Sequence, residues 1–158
     1  RLSLRRENGG PAQTLKVRIP PGVHEGQLIR LRGQGEPGGG MPGDLLLTIR
    51  IGTHPHFSRR DNDLIVRVPV TLAEAARGAK VDIPGPWGTL SVKIPPGMSG
   101  GKRLRIKGQG VKPAKGATGD LYVEVQIVLP PTLDAQSLEL IDQLDARWQQ
   151  QPRNELKW

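Results

Sequence analysis

Leu15-Lys-Val-Arg-Ile-Pro-Pro-Gly22, followed by Gly26 and then Arg30-Leu-Arg-Gly-Gln-Gly35, returns 75 residues later. The second copy reads Leu90-Ser-Val-Lys-Ile-Pro-Pro-Gly97, then Gly101, then Arg105-Ile-Lys-Gly-Gln-Gly110, with eleven of the 21 aligned positions identical. After a one-residue insertion the match resumes, Gly43-Asp44-Leu45 answering Gly119-Asp120-Leu121. Each copy then runs into an alternating segment, Leu45, Leu47, Ile49 and Ile51 in one and Leu121, Val123, Val125 and Ile127 in the other. An apolar period of two marks a strand with one buried face, and a motif set repeated at fixed offsets marks a supersecondary unit present twice. The sequence predicts a mainly β protein of two tandem β-sandwich-like units, each closing its own core.

The flanks of the repeat extend this reading. Between the copies lie an alternating strand over Leu64–Val70, a short helical stretch over Leu72–Arg77 and a strand over Lys80–Ile83. Ahead of the first copy only Leu2-Ser3-Leu4 corresponds, set against Val81-Asp82-Ile83. The expectation is therefore that the opening strand and helix of repeat one belong before Arg1, and that repeat one is the less stable half. Beyond Pro130-Pro131, residues 133–151 hold no Gly or Pro, and Leu140, Ile141, Leu144 and Trp148 form an apolar stripe at helical spacing. Asp134 or Ser137 could cap this amphipathic helix, which either packs back on repeat two or pairs with a second copy of itself. The boundaries expected are 1–52, 53–131 and 132–158.

Composition narrows the function. The 36 Gly and Pro residues, a level at which disorder becomes a reading, fall mostly at the ends of alternating segments and so act as turn punctuation. Absence of cysteine excludes a disulfide scaffold, a thiolate nucleophile and a Cys-ligated zinc site. The formal charge is +8, and it sits on the β body: residues 132–158 carry three basic and five acidic side chains. Arg103, Arg105 and Lys107 flank Leu104 and Ile106, and Arg30 and Arg32 flank Leu31. These side chains make either a solvated sheet face or a phosphate-contacting patch. Five aromatic residues are too few for base stacking on single strands, so any nucleic acid would be read as duplex, through backbone and shape.

Three motif matches dissolve in context. Gly33-Gln-Gly35-Glu-Pro37-Gly38 fits a dinucleotide fingerprint, but Pro37 and the glycines after it cannot open the helix that holds a pyrophosphate. Gly97-Met98-Ser99-Gly100-Gly101 fits a nucleophile elbow, yet a strand follows it and the repeat partner of Ser99 is His24. His54-Pro55-His56 could suggest a metal pair, although Asp61 and Asp63 are the nearest further ligands and a linker turn accounts for it. No catalytic residue, metal or cofactor is expected, and no apolar stretch approaches the length of a membrane span.

Taken together, the doubled Ile-Pro-Pro-Gly, Arg-x-Arg/Lys-Gly-Gln-Gly and Gly-Asp-Leu motifs, with His54-Pro55-His56-Phe57-Ser58-Arg59, Asp63-Leu64 and Leu72–Gly78 between them, resemble the tandem C-terminal substrate-binding domains of DnaJ-type J-domain co-chaperones. The resemblance covers roughly residues 1–145. Lacking cysteine, the chain is similar to the bacterial branch without a zinc finger, described as co-chaperones that also bind curved DNA. The resemblance implies two β-sandwich-like domains and a dimerising helix carrying Leu140, Ile141, Leu144 and Trp148. It implies binding of unfolded polypeptide for delivery to a DnaK-type chaperone, through a J domain whose His-Pro-Asp motif this sequence lacks. The family groove would use Leu2, Leu4 and Phe57, and duplex DNA would meet Arg30, Arg32, Arg103, Arg105 and Lys107. A cytoplasmic, nucleoid-associated homodimer, without membrane contact, is the corresponding setting.

Overall fold

The computed structural model describes residues 2–4, 13–38 and 41–154. In chain order the elements are β1 (Leu2–Leu4), β2 (Gln13–Leu15), β3 (Leu28–Leu31), β4 (Pro37–Gly38), β5 (Met41–Pro42), β6 (Leu45–Thr48), β7 (Phe57–Arg60) and β8 (Asp63–Thr71). There follow α1 (Leu72–Arg77), β9 (Ala79–Gly85), β10 (Gly88–Ile94), β11 (Arg103–Ile106), β12 (Leu121–Val128) and α2 (Ala135–Trp148). The protein is mainly β with a C-terminal helix, as the repeat predicts. It comprises two compact units, Arg1–Ile127 and Val128–Trp158.

Repeat two is the complete copy. Its four-stranded sheet has the order β11-β12-β8-β7, and β9 pairs with β10 as a separate antiparallel hairpin. Alternation decides what is buried: Val66, Val68 and Val70 of β8, Leu121, Val123 and Val125 of β12, and Val92 and Ile94 of β10 face one core with Ile83, Ala75 and Met98. Pro69 sits in β8, where a central strand would need its N–H. The pairing of β7 with β8 ends at Phe57–Val66, and Arg67 N–H donates to His56 O just beyond, so Pro69 lies where β7 no longer runs alongside. Helix α1 opens with a capping box: Glu74 N–H donates to Thr71 Oγ1, and Thr71 N–H donates to the Glu74 carboxylate. The N–H groups of Gly97 and Met98 donate to Ala76 O and Ala75 O, which satisfies carbonyls at the end of that helix.

Repeat one keeps the hairpin logic without the enclosed core. Strand β3 pairs antiparallel with β6, as β11 does with β12. Ile29, Leu31, Leu45 and Leu47 point inward but are only half-buried, and the fully buried apolar residues among those described all lie between Val66 and Val125. The expected pair of closed cores is thus one closed core. Strand β8 and helix α1, which supply Val66, Val68, Val70 and Ala75, have no counterpart in repeat one among the described residues.

One register differs from the expected match. Leu2 pairs with Leu15, and Ile83 pairs with Leu90, the repeat partner of Leu15. Leu2 therefore stands where Ile83 stands, two residues from the expected correspondence with Val81. Residue counting missed the shift because eight residues separate β1 from β2 and only two separate β9 from β10.

Candidate functional site

The repeated motif first explains itself as a structural tie. Gly33 N–H donates to Asp44 Oδ1 at 2.9 Å, and Arg30 donates to Asp44 Oδ2. In the second copy Gly108 N–H donates to Asp120 Oδ1 at 2.7 Å, and Arg105 Nε donates to Asp120 Oδ2 at 2.6 Å. Gly33 and Gly108 hold φ of 66° and 70°, a conformation that favours glycine. The paired backbone bonds Gly35 N–H to Gly43 O and Gly110 N–H to Gly119 O close the same turn in both copies. The arginine, the turn glycine and the distant aspartate recur together because they are one unit. That co-occurrence was the available sequence signal.

Both carboxylates are held below their ordinary value, first by the glycine N–H and then by the arginine. A depressed folded value stabilises the fold above the unfolded aspartate range and loses that contribution as pH falls through the still lower folded value. Asp120→Asn is therefore expected to lower the melting temperature at pH 7, with the difference shrinking as pH falls below the ordinary aspartate range. Circular dichroism melts across that window check this; a constant difference at every pH would refute the charged tie.

Three of the arginines expected at DNA are ion-paired within the fold. Arg30 and Arg105 are bound to Asp44 and Asp120, and Arg103 contacts Glu124 at 2.7 Å, with Arg67 on the other carboxylate oxygen at 3.5 Å. Glu124 is held below its ordinary value chiefly by the Arg103 hydrogen bond. Arg32 and Lys107 make no ion pair among the described residues.

A second region forms where repeat one meets repeat two. An open cleft of about 820 Å³ is lined by Ile51, Phe57, Leu64 and Val111, with His24, Glu25, His54, Arg59 and Asp61 at its polar margins. Phe57 packs partly buried against the core and edge-on to His54, ring centroids 5.2 Å apart. His54 Nδ1 accepts from the N–H groups of His56 and Phe57, so the His-Pro-His segment is a turn fastened by its own imidazole. Arg59 braces the junction: Nη1 donates to Val23 O at 2.7 Å, Nη2 to Gly22 O at 3.2 Å and Nε to Asp61 O at 2.6 Å. Sequence reading missed Arg59, since nothing in its spacing marks carbonyls 36 residues away. It missed Trp87 as well, whose Nε1 donates to Gly110 O beneath Lys112 Nζ, 4.7 Å from the ring centroid.

Leu2 and Leu4 lie on β1, but their side chains are outside the described residues. In the C-terminal unit Asp134 is the N-cap, accepting from Ser137 N–H at 2.8 Å, and Gln149 closes the helix in the left-handed region. Leu140, Ile141, Leu144 and Trp148 are all exposed on α2, and Trp148 is 65% exposed. No described helix is long and apolar enough to cross a membrane, and no group of three or more metal-ligating side chains occurs among the described residues.

Two copies of one β motif, joined at an apolar cleft and followed by a helical segment, define the class as tandem repeated β domains. The DnaJ C terminal domain family matches residues 2–130, and the chain belongs to that family. It is similar to proteins named "Curved DNA-binding protein". One from Pseudomonas putida F1 is 43% identical over 155 residues, 97% of this chain and 49% of that protein. One from Escherichia coli SMS-3-5 is 49% identical over 146 residues, 90% of this chain and 47% of that protein, and one from Salmonella arizonae is 48% identical over the same length. The chain spans about half the length of the curated relatives it matches.

Proposed function

We infer that this chain is the client-binding region of a DnaJ-type co-chaperone, holding non-native polypeptide for delivery to a DnaK-type chaperone. The observation that carries this is the cleft floored by Ile51, Phe57, Leu64 and Val111 beside β7, an edge strand of the four-stranded sheet. An edge strand offers main-chain partners to an extended peptide, and adjacent apolar surface seats its alternate side chains. Leu2 and Leu4 on β1 would extend the same groove. The divisions 1–52, 53–131 and 132–158 then mark the first β domain, the second β domain and the dimerising helix, with the cleft at the junction of the first two, in a homodimer of the cytoplasm and nucleoid. Phe57→Ser, and separately the exposed Ile51→Ser, are expected to raise the concentration needed to suppress aggregation of a chemically denatured client about tenfold, the equivalent of one lost apolar contact. Leu2→Ser with Leu4→Ser should act in the same direction. Unchanged suppression by both folded single variants would overturn the cleft assignment.

A second reading coexists with the first. The charge excess on the β body and the printed name of the relatives support binding of duplex DNA through phosphate contacts.

A further inference from the structure

We propose that duplex DNA is held by a cationic cleft on repeat two, built from Arg77, Lys80 and Lys93. This rests on the duplex-DNA reading and gives it a site other than the hairpin arginines. Arg77 ends α1, Lys80 is the second residue of β9, and Lys93 lies directly opposite Lys80 in the β9–β10 register. All three are exposed and line one cleft of about 440 Å³ with Gly78, Ala79, Ser91, Ile94 and Pro96. Like charges directly opposite on a hairpin repel one another, and among the described residues none of the three has an ion-pair partner. The one carboxylate on this outer face, Asp82, lies opposite Ser91. By contrast Arg30, Arg103 and Arg105 are each spent on an aspartate or glutamate.

The platform is also rigid. Gly78 holds φ of 80°, with Ile94 O and Pro96 N both 3.0 Å from where a Cβ would stand. The end of α1 is bonded to the loop after β10 through Gly97 and Met98. Three cations are thereby fixed on three backbone elements, an arrangement whose repulsion a phosphodiester would relieve. The lining favours phosphate over polypeptide. Gly78, Ala79, Ser91 and Pro96 are small, and Ile94 is buried, so no exposed large apolar surface is offered to a client side chain.

The test is fluorescence anisotropy of the full chain with a short labelled A-tract duplex across a salt titration, comparing the parent with Arg77→Gln/Lys80→Gln/Lys93→Gln and with Arg32→Gln/Lys107→Gln. The triple variant is expected to lose at least about tenfold in affinity at low salt, and its plot of log affinity against log salt to flatten by about two to three, near 0.9 per phosphate contact. Its melting temperature should stay level or rise, since a like-charge pair is removed. The double variant should change by less than about threefold. A parent that binds DNA alongside a triple variant of unchanged affinity and slope would refute the cleft while leaving the DNA reading standing. A parent that fails to bind even at low salt would remove both. Equal losses in the two variants would also overturn the assignment.

Discussion

Replacing Gly119 with alanine is expected to destabilise the protein by more than about 3 kcal/mol, whereas the same change at Gly43, its repeat partner, should fall within about 1 kcal/mol of the parent. A Cβ on Gly119 would stand 1.8 Å from Asn62 O and 2.2 Å from Asn62 C, both backbone atoms that cannot rotate away. A Cβ on Gly43 meets only Glu36 O, at an ordinary 3.7 Å. The difference comes from the Asp61-Asn62 turn between β7 and β8. Asn62 O accepts from Val111 N–H at 2.8 Å, and Asp63 Oδ1 accepts from Asp120 N–H at 2.8 Å, which draws the turn down onto the glycine. Among the described residues repeat one has no such turn. Urea unfolding followed by circular dichroism measures both variants. Equal costs would mean that the turn is not seated on Gly119 in solution.

The second large effect is expected in the helix. Leu140→Asp with Leu144→Asp should weaken self-association at least about a thousandfold, since four leucines that a two-fold pairing would cover are lost at about 1 kcal/mol each. Helix α2 has no buried residue, yet it is capped at both ends, by Asp134 and by Gln149, whose N–H donates to Asp145 O. A helix of 14 residues with an exposed apolar stripe is marginal alone in water, so pairing with a second copy would stabilise it. Light scattering should give twice the 17.2 kDa chain mass for the parent and the chain mass for the variant. A monomeric parent at high concentration would refute the pairing.

The fold was legible where periodicity and repetition spoke together. The strands Leu45–Thr48, Asp63–Thr71 and Leu121–Val128 follow from alternation, and α1 and α2 follow from runs free of Gly and Pro between turn residues. What remained hidden was long-range. Arginines alternating outward on β3 and β11 read equally well as solvated or as phosphate-binding, because the aspartate that occupies Arg105 lies 15 residues away and only the fold brings it close. The cleft was half visible. Phe57 stands out through its neighbours His54 and Pro55, while Ile51, Leu64 and Val111 share that space only once two strands and two loops converge. The cations Arg77, Lys80 and Lys93 are ordinary in the sequence and become a group through the β9–β10 register.

The brace made by Arg59 has a consequence for how the joint between the repeats can evolve. It grips main-chain oxygens, and every residue type presents the same oxygen. The Val23 side chain can therefore drift without loosening the grip, and the chemical specification of that contact is concentrated in one side chain. Substitution of Arg59 has no local substitute to absorb it, because lysine offers a point charge where the guanidinium spreads its donors over three carbonyls. The junction is thus tolerant at Val23 and intolerant at Arg59, an asymmetry of inheritance across a single set of hydrogen bonds.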